Sequence, residues 1–155
     1  MELTSSAFDD QTAIPARYVA AKAGGDNVSP PLRWGGTPDD ALSIALAVVD
    51  LAPVARMWVH WVLVEIPPSV SALDAGASSA AIPEGARELR NTAGTVGWSG
   101  PGPPPGTGEH PYVFTLYALD IQRLELPEQP TAQEIERAVR GHVLGQATLT
   151  GLCGR

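Results

Sequence analysis

Three apolar runs of strand length, Ser43 to Val49, Trp58 to Ile66 and Tyr112 to Asp120, most constrain what this chain can fold into. The first is continuous and short, the pattern of a strand buried on both faces. The second is rich in valine and aromatics and is stopped by Pro67-Pro68. The third reads Val-Phe-Thr-Leu-Tyr-Ala-Leu through its centre. Between the second and third, the Gly97–Gly108 segment is crowded with proline and glycine and excludes regular structure. The chain carries 15 prolines and 16 glycines spread along its length, so turns are frequent but no segment is of low complexity.

The remaining segments fill in a coarse architecture. Residues 1–20 read as strand, turn and strand around Asp9-Asp10-Gln11, and Gly24 to Asn27 is a loop that Ser29-Pro30-Pro31 leaves in an extended direction. Residues 69–95 read as loops and short turns. Near the end, Thr131 followed by Glu134 predicts a capping box. Ile135, Ala138, Val139 and Leu144 then give a helical apolar stripe, with Gly145 as its terminator, and Ala147 to Leu152 could form a last strand. With 155 residues, no repeat and no long linker, the expectation is one mostly β domain over 1–155 with a C-terminal helix.

The strong strands also carry chemistry. Asp50 ends the first, Trp58-Val59-His60-Trp61 opens the second, and His110-Pro111-Tyr112 opens the third after a glycine-rich loop. A carboxylate, two imidazoles and a phenol from separate extended segments suit a small anion or phosphate head group. Histidine and tyrosine can donate hydrogen bonds, and the carboxylate can fix a tautomer or balance an imidazolium. Each residue alone has an ordinary explanation: a core histidine at 60, a turn-forming aspartate at 50, a half-buried sheet tyrosine at 112. Their co-occurrence is the signal. His142, on the terminal segment, is assigned no chemistry.

Other functions read poorly. The net charge of −7 and pI near 4.8 argue against a nucleic-acid partner, which needs a basic face, and against electrostatic attachment to anionic membranes. No stretch is long and apolar enough to span a bilayer as a helix. The spacing shows no zinc motif, and there is no P-loop, Gly-x-Ser-x-Gly elbow or dinucleotide fingerprint. Cys153 is the single cysteine, which excludes an internal disulfide and fits a cytoplasmic protein; no secretory signal is visible at Met1-Glu2-Leu3-Thr4.

These residues together resemble the phosphatidylethanolamine-binding protein family, in particular its short bacterial and archaeal members related to Raf kinase inhibitor protein. Phe8-Asp9-Asp10 with Ile14-Pro15 and Tyr18 resembles the family opening, and Asn27-Val28-Ser29-Pro30-Pro31-Leu32-Arg33-Trp34 resembles its Asn-x-Ser-Pro-x-Leu-x-Trp motif. Asp50 with His60-Trp61, Gly100-Pro101-Gly102-Pro103-Pro104 and His110-Pro111-Tyr112 match three further blocks. The chain departs from the family at Ala52 and Val54, where an acid and a proline are usual, at Pro111 in place of arginine, and at Cys153 in place of a tyrosine that closes the pocket.

The resemblance implies two antiparallel sheets, a larger and a smaller, and a small surface cavity for phosphate-like or carboxylate anions. The implied ligand-binding set is Asp50, Trp58, His60, Gly100, Gly102, His110 and Tyr112, with no cofactor, no metal and no enzymatic activity. His60, His110 and Tyr112 would donate to the anion, Asp50 would orient a histidine or engage an amine, and Trp58 would wall the cavity. Prolines near Gly100 and Gly102 would turn backbone N–H groups toward the ligand, and an X-Pro bond there or at Ala52-Pro53 could be cis. The alternatives are an inhibitor of an unknown kinase or protease partner, with the pocket as a switch, and a weak hydrolase using histidine as base. The Ala-rich 69–82 segment suggests a homodimer that covers it, the competing possibility being that it folds back on its own sheet.

Overall fold

A computed structural model describes residues 1–155. The elements in chain order are β1 (Glu2–Thr4), β2 (Thr12–Ala13), β3 (Leu32–Gly35), β4 (Ser43–Asp50), β5 (Trp58–Ile66), β6 (Ala72–Leu73), β7 (Arg87–Glu88), β8 (Glu109–Leu119), α1 (Ala132–Val139) and β9 (Val143–Gly154), with single 3-10 turns at Ala16–Tyr18, Ala21–Ala23 and Pro53–Ala55. A larger sheet runs β2-β9-β8-β4-β5-β7 and a smaller one β1-β3-β6. Pairing is antiparallel throughout except where the two-residue β2 edge joins β9 in parallel.

β4 occupies the middle of the large sheet because it has apolar side chains for both faces. Ile44, Leu46 and Val48 enter a core shared with Leu32, Trp34 and Leu73 of the smaller sheet. Ala45 and Ala47 point the other way, into a second core with Ile135 and Val139 of α1. Period-two alternation thus divides one strand between two cores. α1 begins at Thr131 with the expected reciprocal capping box: the Thr131 side chain accepts from the Glu134 N–H, and the Glu134 carboxylate accepts from the Thr131 N–H.

The structure corrects the sequence reading at several points. α1 ends at Val139, and Gly141 turns the chain at φ 84°, so Leu144 lies in β9 and not on the helix. β9 starts at Val143 and is twelve residues long, well before Ala147. β8 begins at Glu109 and contains Pro111. Proline is tolerated there because the Pro111 carbonyl accepts from Leu51 N–H, so its nitrogen faces the side on which β4 has already ended at Asp50. No peptide bond is cis. The 69–82 segment seats Leu73 and Ala77 in the main core, with Val70, Ala75 and Ile82 packed against it. It folds back on its own chain, which removes the reason it gave for a second copy.

Candidate functional site

Strand pairing gathers the site at one end of the large sheet. Asp50 lies opposite Trp58 of β5 on one side and opposite Tyr112 of β8 on the other. Asp50, His110 and Tyr112 share a face by alternation, the face that meets the smaller sheet. His60 reaches that face by a different device. The β4–β5 register passes from Val48↔Trp61 to Val49↔Val59, so His60 is the extra residue of a β-bulge. Val59 consequently packs toward α1 and Trp61 toward the smaller sheet, and His60 turns into the cavity beside Tyr112, with ring centroids 5.0 Å apart at 79°. A bulge that re-aims a side chain is a recurrent feature near functional sites.

The resulting cavity, about 230 Å³, is lined by Asp50, Trp58, His60, Gly100, Gly102, His110 and Tyr112, and also by Lys22, Val54, Ala55, Ala93, Ser99, Pro103 and Pro104. It is smaller than the roughly 300–1,000 Å³ of drug-sized sites, which suits a head-group-sized ion.

Hydrogen bonds decide which atoms are free. Asp50 is 3% exposed; its Oδ1 accepts from Ala52 N–H at 2.9 Å and its Oδ2 lies 2.7 Å from His110 Nδ1. It is therefore both a turn former and a site residue, one oxygen for each role. His110 is 1% exposed, and its Nε2 lies 2.8 Å from Thr107 Oγ1. The Thr107 hydroxyl donates to Pro104 O at 2.7 Å, so its oxygen is left to accept. His110 thus has a polar partner at each ring nitrogen, Asp50 on one side and Thr107 on the other. The expectation that His110 donates to a ligand does not match this geometry, because both of its nitrogens already have partners.

His60 Nδ1 lies 2.6 Å from the Ser99 carbonyl, and Ser99 N–H donates to the His60 carbonyl at 2.9 Å. A carbonyl only accepts, so Nδ1 carries the hydrogen and Nε2 is the ring's free atom. Burial lowers the His60 pKa below its usual value, against the raising effects of the Ser99 carbonyl and Asp50; Lys22 and His110 add to the lowering. Tyr112 is pushed above its ordinary range, first by burial and then by the Asp50 charge, with Cys153 also raising it. The Gly102 backbone opposes the rise but does not outweigh burial.

The backbone expectation also needs correction. Gly100 N–H donates to Asn27 Oδ1 at 2.7 Å rather than toward the cavity. A Cβ at Gly100 would lie 2.5 Å from Tyr18 O and 2.6 Å from Ala20 N, so glycine is required by close approach of two backbones. Asn27, held at φ 55°, thus fastens the proline-rich segment over the site.

A family model described as phosphatidylethanolamine-binding protein matches residues 4–154. The chain belongs to that family. It is 41% identical to a UPF0098 protein of Methanothermobacter thermautotrophicus over 100% of this chain and 99% of that one. It is 36% identical to LppC of Mycobacterium tuberculosis, described as a candidate lipoprotein, over 97% of this chain and 71% of that one. The crystal structure of Escherichia coli YbcL, described as a new member of the mammalian PEBP family, superposes with a TM-score of 0.90 at 28% identity, covering 99% and 98% of the two chains.

Within this family member, Lys22 is the site residue that motif reading missed. It stands on the Ala21–Ala23 turn and reaches the cavity, where its charge acts on His60. The available signal was its uniqueness: it is the only lysine in the chain. Cys153 pairs with His110 across β8 and β9 but does not line the cavity, and burial first of all raises its thiol pKa, so it is not activated as a nucleophile. No three His, Cys, Asp or Glu side chains are grouped to hold a metal ion, and no helix is long and apolar enough to cross a membrane.

Proposed function

We propose that this member of the phosphatidylethanolamine-binding protein family binds a small anion, of phosphate or carboxylate type, without chemical turnover. The supporting observation is the charge balance of the cavity. Its one carboxylate, Asp50, is turned to His110 and the Ala52 N–H, and Lys22 is the only lysine or arginine on its wall. In a protein of net charge −7, Lys22 supplies the local attraction for an anion. In this reading Lys22 attracts the anion, His60 Nε2 contacts it and Trp58 forms one wall. Asp50 and His110 act as a buried frame. The absence of turnover is supported by the Tyr112 phenol being held neutral and by Cys153, its thiol pKa raised, lying outside the cavity lining. A cytoplasmic location is proposed on the lone free cysteine, with the lipoprotein description of LppC as the specific alternative.

Titration of the protein with inorganic phosphate, alongside Lys22→Met, tests this reading. Saturable binding that weakens about tenfold or more in the variant supports it; binding indifferent to Lys22 contradicts it.

A second reading is regulation of a protein partner at the cavity mouth. It is favoured by Leu51, Val54 and Trp58, exposed by 45%, 55% and 38% and close together beside the Pro53–Ala55 turn. Co-purification of one protein in stoichiometric amount, lost on Trp58→Ala, would favour this reading.

A further inference from the structure

We propose that a second groove, across Trp58 from the cavity, holds a sugar-like ring, so that the ligand is a polyhydroxylated ring carrying an anionic group. This rests on the small-anion reading above and specifies what the anion is attached to.

The groove measures about 390 Å³ and adjoins the cavity. Val54, Ala55 and Trp58 line both, and Thr92 of the groove precedes Ala93 of the cavity. A ligand too large for the cavity can keep its anion beside Lys22 and lay its remainder across this shared rim. The rim is held in an unfavourable backbone. Arg56 and Met57 are successive non-glycine residues at φ 50° and 61°, and both line the groove and not the cavity. Residues kept in the left-handed region cluster at ligand clamps.

The lining decides what the groove can hold. Thr92 Oγ1 accepts from Val59 N–H, and the Gln129 amide donates to the Thr92 carbonyl. The Arg56 guanidinium, the Trp58 indole N–H and the Gln133 amide have no protein partner. Arg56 is the one charged residue of the lining. An acyl chain laid here would take Arg56 and Gln133 out of water and return no hydrogen bond. A ring of hydroxyls answers each group, because a hydroxyl accepts from the guanidinium and the indole N–H and donates to the amide oxygens of Gln129 and Gln133. Its C–H face is apolar and packs on the Trp58 ring, with Met57 and Pro130 alongside.

Calorimetric titration of the unmodified protein with inorganic phosphate, glucose 1-phosphate and butyl phosphate tests this. Glucose 1-phosphate is expected to bind at least about tenfold more tightly than inorganic phosphate, and butyl phosphate within about threefold of it. Arg56→Met and Gln133→Ala, at exposed positions, should each cut the preference for glucose 1-phosphate over inorganic phosphate by about threefold or more. Glucose 1-phosphate binding no tighter than inorganic phosphate, or a preference that both variants retain, would overturn the sugar groove and leave anion binding standing. Butyl phosphate matching glucose 1-phosphate would overturn it too, since the groove would then read apolar bulk. If none of the three binds, the small-anion reading itself fails.

Vesicles separate a lipid-borne ring from a soluble one. Co-sedimentation with phosphatidylinositol in phosphatidylcholine, and not with phosphatidylserine at the same surface charge, assigns the ring to a lipid head group. Binding of glucose 1-phosphate without co-sedimentation assigns it to a soluble compound. Equal co-sedimentation with both lipids overturns recognition of the ring.

Discussion

Asp50 Oδ2 and His110 Nδ1 lie 2.7 Å apart, and both side chains are about 5% exposed or less. The pair joins the end of β4 to the start of β8 and extends through Thr107 Oγ1 to the Pro104 carbonyl. It is the frame on which the cavity floor is built.

Asp50→Ala should therefore cost stability as well as any ligand affinity. It removes an acceptor from Ala52 N–H and leaves the His110 imidazole buried without its counterpart. Leaving a buried hydrogen-bonding group without its partner costs roughly 1–3 kcal/mol. Urea unfolding of the two proteins measures this, and a loss under about 1 kcal/mol, the scale of a surface pair, would contradict it.

His60 gives stability a predictable dependence on pH. Its pKa is lower in the folded than in the unfolded chain, so between the two values the unfolded state binds more protons. Its contribution is fully present above about pH 6.5, the unfolded value, and is lost as pH falls through the depressed folded value. Glu134, also depressed by its hydrogen bonds to Thr131, loses its contribution in the carboxylate range. Thermal unfolding from about pH 7 to about pH 5 should thus show a decline that is shallower in His60→Gln. Parallel curves would rule out His60 as its source.

Gly100→Ala should destabilise far more than Gly106→Ala. The first drives a Cβ into the Tyr18–Ala20 backbone, whereas the second meets nothing within 4 Å and is strained only by its φ of 81°. Overpacking costs roughly 1–3 kcal/mol and at times more, and a non-glycine residue in the left-handed region roughly 1–2 kcal/mol. Chemical denaturation ranks the two directly. Equal losses would mean that the Tyr18–Ala20 segment can move aside.

The three strong strands and the capping box were legible because each depends on local pattern: unbroken apolar runs ended by Asp50 or Pro67, and Thr131 three residues before Glu134. The helix end was not. Leu144 continues the helical spacing in sequence, but Gly141 breaks the chain first. Motifs named residues that line one cavity, but not which of their polar atoms are free. Strict alternation would place His60 and Trp61 on opposite faces, and only the bulge against β4 puts both on the smaller-sheet side. Whether an imidazole nitrogen is free depends on Ser99, 39 residues from His60, and on Asp50, 60 residues from His110. Lys22 enters from a loop with no pattern of its own.

The most direct test of the central claim, that a small anion binds at His60 while His110 is structural, is the imidazole nitrogen-15 spectrum during titration with inorganic phosphate. The account predicts saturable displacement of the His60 Nε2 resonance, with the His110 nitrogens and the Asp120-paired His142 unmoved. Displacement centred on His110 with His60 silent, or no displacement of either, would contradict it.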